Sequence, residues 1–453
     1  MSGGSRPSIE RLVAGLAALA VVVLATLLLR RAGSDDAPVG GPLFSLGFLV
    51  IAGAVLGTVA SFVGLPRLTG YLVAGLLAGP QGTGFLDGDD VKALSLINAL
   101  ALALIALQAG AELTLSTLQR TWKSVLSSSF AQTVLVVPMM AGLFFALAGH
   151  MPFLVGVDTV TVAAVAFVWG VLSLTRSPAV TLAILAETKA KGPLAEHALG
   201  VVVVLDVMVL PLFAAAMAIG RGQISGQEFE LAIFSHLAFE LFGSVCAGTT
   251  FGLVVALLLR FVTRERVLMV VVVGYGVTAL STWLRYDTLL VFVVAGFVVM
   301  NLTRFGHDLV HTSERTSAGV MIVFFATAGA KLDLQALREL WPIALAFFVA
   351  RALITVVSCR LGHRFANDPP VVRRLGFTPF VSQAGVTIGL ATIVADALPG
   401  VGKALATLAI AVVGLNELAG PVIFTWGLKK AGEIPDDDPH EARRSTEPPS
   451  TAS

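Results

Sequence analysis

Apolar stretches of about 20 residues, the length that spans a bilayer core, recur along almost the whole chain. No other feature constrains the fold as much. A helix of a water-soluble domain needs only one apolar stripe and keeps a polar face toward solvent. Runs such as 12–29 and 43–62 have no polar face at all. A bilayer can accommodate them, provided each segment satisfies its own backbone N–H and C=O groups, and helices do so. Composition agrees: 13% of residues are charged and the mean hydropathy is +0.88, against about 25% charged in ordinary soluble domains. The sequence therefore predicts an all-α polytopic membrane protein of about 13–14 transmembrane helices. A net charge of +1 offers no basic surface of the kind that attracts nucleic acid. Cys246 and Cys359 both lie inside apolar runs, and no CxxC or Cys/His cluster exists. Neither a disulfide framework, a structural metal nor a cofactor is expected.

The apolar periodicity predicts spans at 11–29, 43–62, 67–79, 91–112, 116–149, 158–188 and 193–219. It continues with 228–262, 265–284, 286–303, 308–330, 340–364, 371–398 and 401–429. Residues 1–42 read as an extra N-terminal helix or signal anchor. Arg6 and Arg11 precede its apolar run, Arg30 and Arg31 end it, and no small-residue cleavage site follows. Residues 43–432 form the membrane domain. The polar segment 433–453 reads as a disordered tail, with no nucleotide-binding domain expected after it. Cytoplasmic loops carry the excess of Lys and Arg. With the N-terminus inside, inner segments hold nineteen such residues and outer ones eight. Both termini are therefore expected in the cytoplasm, in the inner membrane of a bacterium.

The sequence repeats itself. Residues 109–122, AGAELTLSTLQRTW, match 328–341, AGAKLDLQALRELW; upstream, Leu72-Val73-Ala74-Gly75 echoes Val293-Val294-Ala295-Gly296. The equivalent spans 91–112 and 308–330 cross in opposite directions, so the halves are inverted repeats, an architecture common in secondary transporters. Repeat one covers 43–219 and repeat two 265–429, with 228–262 as the linker helix. Span 158–188 then pairs with 371–398. The first carries Ser173-Leu174-Thr175-Arg176-Ser177-Pro178 and the second Thr378-Pro379 followed by Ser382-Gln383-Ala384-Gly385. Proline breaks a helix by removing a donor and clashing with the preceding turn. Both mates are thus interrupted, and the freed carbonyls and half-helix ends could coordinate a cation.

Ionisable groups inside the membrane are costly and mark pathways or pairs. Asp206 stands alone in GVVVVLDVMVLPLF, roughly midway along span 193–219. A carboxylate there can hold a dehydrated cation when charged and a proton when neutral, which is the simplest antiport chemistry. Arg351, in PIALAFFVARALITVVSC, needs compensation, with Glu240 or Asp206 as the candidate partner. Arginine hardly deprotonates, so Arg351 is expected to be a fixed counter-charge. Arg176 sits at the break, where it faces a funnel or neutralises Asp206. Glu112, Glu187 and Glu196 lie at inner helix ends and suggest entrance roles. Glu417 is deeper, and its plain reading is a hydrogen-bonded structural pair with Asn416.

Five motifs carry a family resemblance: GLPRLTGYLVAGLLAGPQGTGFL, SPAVTLAILAETKAKGPLAEHALGVVVVLDV, FFATAGAKLDL, FTPFVSQAGVTIGL and NELAGPVIFTWGLKKAGE. Together they resemble the monovalent cation:proton antiporter superfamily, of the sodium/proton exchanger and potassium-efflux antiporter type, over about 43–432. The resemblance implies a scaffold or dimerisation domain, a core domain of crossed unwound helices, elevator-like alternating access and a homodimer. It implies Na⁺ or K⁺ and H⁺ as partners, along with the lipid bilayer. By the same resemblance Asp206 matches the ion-binding aspartate, Arg351 matches the basic residue of the helix crossing the core, and Thr175 and Ser177 line the site. Arg176, Gln383 and Glu417 stand as modulating positions. The residue before the aspartate, often Asn or Asp in that family, is Leu205 here. One carboxylate favours electroneutral exchange. Arg176 stands where the family usually has an uncharged or acidic residue. Two other readings compete: a sodium-coupled organic-anion symporter, with Arg176 and Arg351 holding the anion, and an ion sensor that does not transport. The chain has no HExxH or G-x-S-x-G motif, so no enzyme is expected.

Overall fold

A computed structural model of the chain describes residues 42–225, 232–262, 264–332, 334–383 and 385–435, together with Ala17, Ala20 and Val21. The expected span 11–29 lies almost wholly outside the described residues, as does the tail beyond 435. Among the described residues all regular structure is helical. Fourteen helices among the described residues have at least 11 residues. They are α1 (Pro42–Phe62), α2 (Arg67–Ala78), α3 (Ser95–Glu112), α4 (Leu115–Leu147), α5 (Thr159–Leu174), α6 (Pro178–Thr188) and α7 (Pro193–Ser225). The second set is α8 (Ala232–Phe261), α9 (Arg266–Leu284), α10 (Thr288–Leu302), α11 (Gly306–Ala330), α12 (Leu334–Ala366), α13 (Gly385–Ala397) and α14 (Gly402–Ala431). Among the described residues, eight stretches are long and apolar enough to cross a membrane, and five shorter apolar helices accompany them. The protein is a multi-pass membrane protein.

Both expected interruptions occur, for reasons visible in the local chemistry. Helix α5 ends at Leu174, and Thr175 turns out of the helical region at ψ 144°. The Ser177 hydroxyl accepts from Val180 N at 3.2 Å and caps α6, with Pro178 at its first position. A proline there has no N–H to lose, and it pushes the preceding residue away from helical geometry. On the mate, a short helix Pro370–Leu375 and a tight turn Thr378–Phe380 precede the break, and α13 starts only at Gly385. What reads in sequence as two long spans is two pairs of half-helices.

The side chains sort into two bundles. One apolar core gathers residues of α2, α3, α6, α8, α10 and α11, and the first turns of α7; α1 packs beside it with α2. The other gathers α4, α5, α12 and α13 with the rest of α7 and most of α14. The sequence repeat explains the packing of the first bundle. A Cβ at Gly75 would collide with the Ala326 carbonyl, and one at Gly329 with the Leu72 carbonyl. The repeat equivalents behave alike: Gly296 abuts the Leu107 carbonyl and Gly110 the Val293 carbonyl. So α2 of one half packs on α11 of the other, and α10 packs on α3, each crossing closed by two glycines. Backbones that touch this closely gain dispersion contact in a solvent that offers no hydrophobic drive.

Candidate ion-binding site

The second bundle holds two buried arginines, and one of them bridges the breaks. Arg351, in the middle of α12, is 1% exposed. Its Nε donates to the Ser173 carbonyl at 2.9 Å and its Nη2 to the Thr175 carbonyl at 2.8 Å. Its Nη1 donates to the Val381 carbonyl at 2.8 Å and to Asn416 Oδ1 at 3.0 Å. Ser173 and Thr175 lie at the first break and Val381 at the second. Helix ends leave carbonyls without intrahelical partners and carry partial negative charge. One planar guanidinium, with donors in a fixed fork, thus satisfies the open ends of both interrupted helices where they cross.

A chain of side chains continues from it. Asn416 Nδ2 donates to Gln383 Oε1 at 3.0 Å. Gln383 Nε2 donates to Thr175 Oγ1 and to the Leu172 carbonyl, both at 2.7 Å. The Thr175 hydroxyl lies 2.6 Å from that of Thr387 on α13. Arg176, 2% exposed, has its own set: Gln132 Oε1 at 2.9 Å, Thr355 Oγ1 at 3.3 Å and the Ser173 carbonyl at 3.4 Å.

These contacts correct several expectations. Arg351 is compensated by carbonyl dipoles and Asn416, not by Asp206. The Glu240 side chain lies outside the described residues; its helix, α8, packs in the other bundle against α10. Arg176 does not neutralise Asp206, because its donors face Gln132 and Thr355. Asn416 is bound to Arg351, Gln383 and the Val412 carbonyl rather than to Glu417. The Glu417 carboxyl is buried with its Oε2 unpartnered among the described residues. Sequence neighbours on a helix point about 100° apart, so the two side chains diverge. Of the acidic residues at helix ends, Glu196 forms an ion pair with Arg120 at 2.6 Å and lines an open funnel, and Glu187 Oε1 accepts from Arg67 N at 2.9 Å. The side chain of Glu112 lies outside the described residues.

Asp206 sits on α7 where the two bundles meet. It lines a narrow crevice with Pro178, Val207, Leu241, Leu290 and Asp287. Its carboxylate is half-buried and has no ion pair or hydrogen bond among the described residues. Pro178 brings the N-terminal end of α6 to the same crevice, and such an end favours negative charge. Thr175 and Ser177 are engaged elsewhere, in the Gln383 network and the α6 cap. A wider funnel, lined by Gln108, Lys189, Glu196, Leu199, Met300 and His307, opens along the same face of α7 from its first turns. Sequence reasoning missed Asp287, whose Oδ1 accepts from Leu290 N at 2.7 Å and caps α10. An Asp directly before an apolar run is an N-cap signal, and it was the available clue.

A membrane protein whose described residues form only helices, with two interrupted helices meeting at a buried guanidinium and a carboxylate without an ion pair among the described residues at the seam of two bundles, has the architecture of a secondary transporter. The model of the sodium/hydrogen exchanger transmembrane family matches residues 47–429, and the chain belongs to that family. Two solved structures of the sodium proton antiporter MjNhaP1 from Methanocaldococcus jannaschii share the fold. The structure at pH 8 has a TM-score of 0.63 at 14% identity, covering 87% of this chain and 98% of that one. The electron-microscopy structure has a TM-score of 0.67 at 14% identity, covering 86% and 95%.

Proposed function

We propose that the chain exchanges a monovalent cation, Na⁺ or K⁺, for H⁺ by alternating access, with ion and proton competing for Asp206. One observation carries this reading. Asp206 is the carboxylate of the seam crevice with neither an ion pair nor a hydrogen bond among the described residues, while the two buried arginines of the second bundle are held by carbonyls, amides and a hydroxyl. A carboxylate free of a permanent partner can exchange one bound cation for another. Arg351 then works as a positioning residue that holds the crossed half-helices, Thr175 and Gln383 brace the two breaks, and Ser177 caps the half-helix whose Pro178 lines the crevice. Asp287 keeps one oxygen on its helix cap, which leaves Asp206 as the exchanging group and supports electroneutral one-for-one exchange. The occupied guanidinium groups argue against organic-anion symport. Membership of the exchanger family supports a homodimer, and the Lys/Arg distribution supports both termini in the cytoplasm of a chain placed in a bacterial inner membrane.

The test is proton flux in proteoliposomes with a trapped pH dye after adding Na⁺, K⁺ or Li⁺, for wild type and Asp206→Asn. Cation-dependent flux in wild type, lost in a variant that remains monodisperse, is the expected result. Retained flux in the variant removes Asp206 from the mechanism. A folded wild type that binds cation without moving protons supports the sensor reading. Clamping the membrane potential leaves the rate unchanged if the exchange is electroneutral.

A further inference from the structure

The crevice that holds Asp206 contains a second carboxylate, and the two belong to different bundles. Val203, Asp206, Val207 and Leu210 fall at i, i+3, i+4 and i+7, one stripe of α7. Asp287, directly before α10, lines the same crevice. The remaining lining side chains, from α6, α8 and α10, are proline, leucine and valine. Neither carboxylate has an ion pair among the described residues, and the exposed Arg285, two positions before Asp287, forms none with it.

Asp287 is anchored to the first bundle. Its Oδ1 accepts from Leu290 N at 2.7 Å, and its own N–H donates to Ser244 Oγ on α8 at 2.9 Å. Ser244 is fully buried. Farther along α10, Val291, Phe292 and Val293 sit in the first core. Leu205 and Val209, which flank Asp206 on α7, are buried in the second core. Any movement between the bundles therefore changes the distance between the two carboxylates.

Like charges that share an apolar crevice repel strongly, because little there screens them. The two groups act on each other through charge. An ionised Asp206 with nothing bound meets that repulsion in full. A bound monovalent cation turns it into an attraction, and a bound proton removes it. Both loaded forms fit the narrow seam, and the empty ionised form does not. We infer that Asp287 couples the exchange: its fixed charge bars an empty, ionised Asp206 from resting against the first bundle, so Asp206 changes sides only when it carries a cation or a proton. This rests on the exchange reading given above. Asp287 acts by charge, with Oδ1 committed to the cap, and is not the exchanging group.

The test counts protons exported per cation taken up, in proteoliposomes holding a pH dye and given radioactive Na⁺ or Rb⁺, with and without permeant thiocyanate to balance charge. Asn and Ser cap a helix about as well as Asp, so Asp287→Asn and Asp287→Ser remove the charge and keep the cap. In both, thiocyanate should open an uncoupled cation uptake at least about tenfold above wild type, and the proton-to-cation ratio should fall. The wild-type ratio should not respond to thiocyanate. Ser244→Ala disturbs the same helix start but keeps the charge, and it should retain the wild-type ratio; a lower ratio there assigns the effect to packing and overturns the inference. An unchanged ratio in both Asp287 variants also overturns it, and a weaker apparent cation affinity beside that unchanged ratio makes Asp287 an ion ligand instead. A wild type that moves no protons against cation defeats the exchange reading itself, and the inference falls with it. Loss of all cation uptake in Asp206→Asn, beside a leaking Asp287→Asn, separates the two roles.

Discussion

Replacing Arg351 by methionine tests whether one guanidinium holds the crossing together. The substitution removes the donor from the Ser173, Thr175 and Val381 carbonyls and from Asn416 Oδ1. Each buried acceptor stripped of its donor costs about 1–3 kcal/mol, and removing the buried charge recovers part of its desolvation penalty. A net of about 1 kcal/mol per acceptor gives about 4 kcal/mol in total. With an unfolding entropy of about 2 cal/mol/K per residue, the melting temperature falls by about 5 °C. Arg351→Lys keeps the charge but offers a compact ammonium that cannot span both breaks, so it should melt between the two. Thermal unfolding in detergent can be followed through Trp169, which is buried in the same bundle. A methionine variant melting within about 1 °C of wild type would refute the reasoning.

Other outcomes follow from the packing. Gly329→Ala drives a methyl into the Leu72 carbonyl and should cost about 1–3 kcal/mol. Gly142→Ala, with nothing within 4 Å of the new carbon, should be neutral or stabilise by up to about 1 kcal/mol; parallel melts separate the two. Glu433→Ala removes the carboxylate that accepts from Leu194 N at 2.7 Å and Ala195 N at 2.9 Å. It should weaken the start of α7 by about 1 kcal/mol, read as faster amide exchange over residues 194–197. Arg120→Ala breaks an ion pair whose arginine is 65% exposed and should change stability by less than about 1 kcal/mol.

The sequence by itself determined the class and the two interrupted helices, and it singled out Asp206 as the candidate carboxylate. Apolar runs without a polar face leave a bilayer as the solvent, and Pro178 behind the Ser177 cap starts a new half-helix, whereas Pro138, Pro211, Pro342 and Pro421 lie inside continuous helices, so it was the pairing of two interruptions across the repeat that made the breaks legible. Asp206 was legible because a charge inside an apolar helix has few purposes. The inverted repeat was legible as two matched stretches, although not that its glycines would close crossings between halves. The tertiary structure decided the partners. Arg351 demanded compensation in sequence, and a carboxylate was the natural guess. The fold supplied helix-end carbonyls instead, which carry no sequence signature because every residue has one. Asn416 and Gln383 joined through a separation of 33 residues, and Ser124 and Asp368 through one of 244. Sequence spacing fixes which side chains share a helix face, since that geometry is local; which faces meet depends on how whole helices pack, and only the assembled bundles decide that.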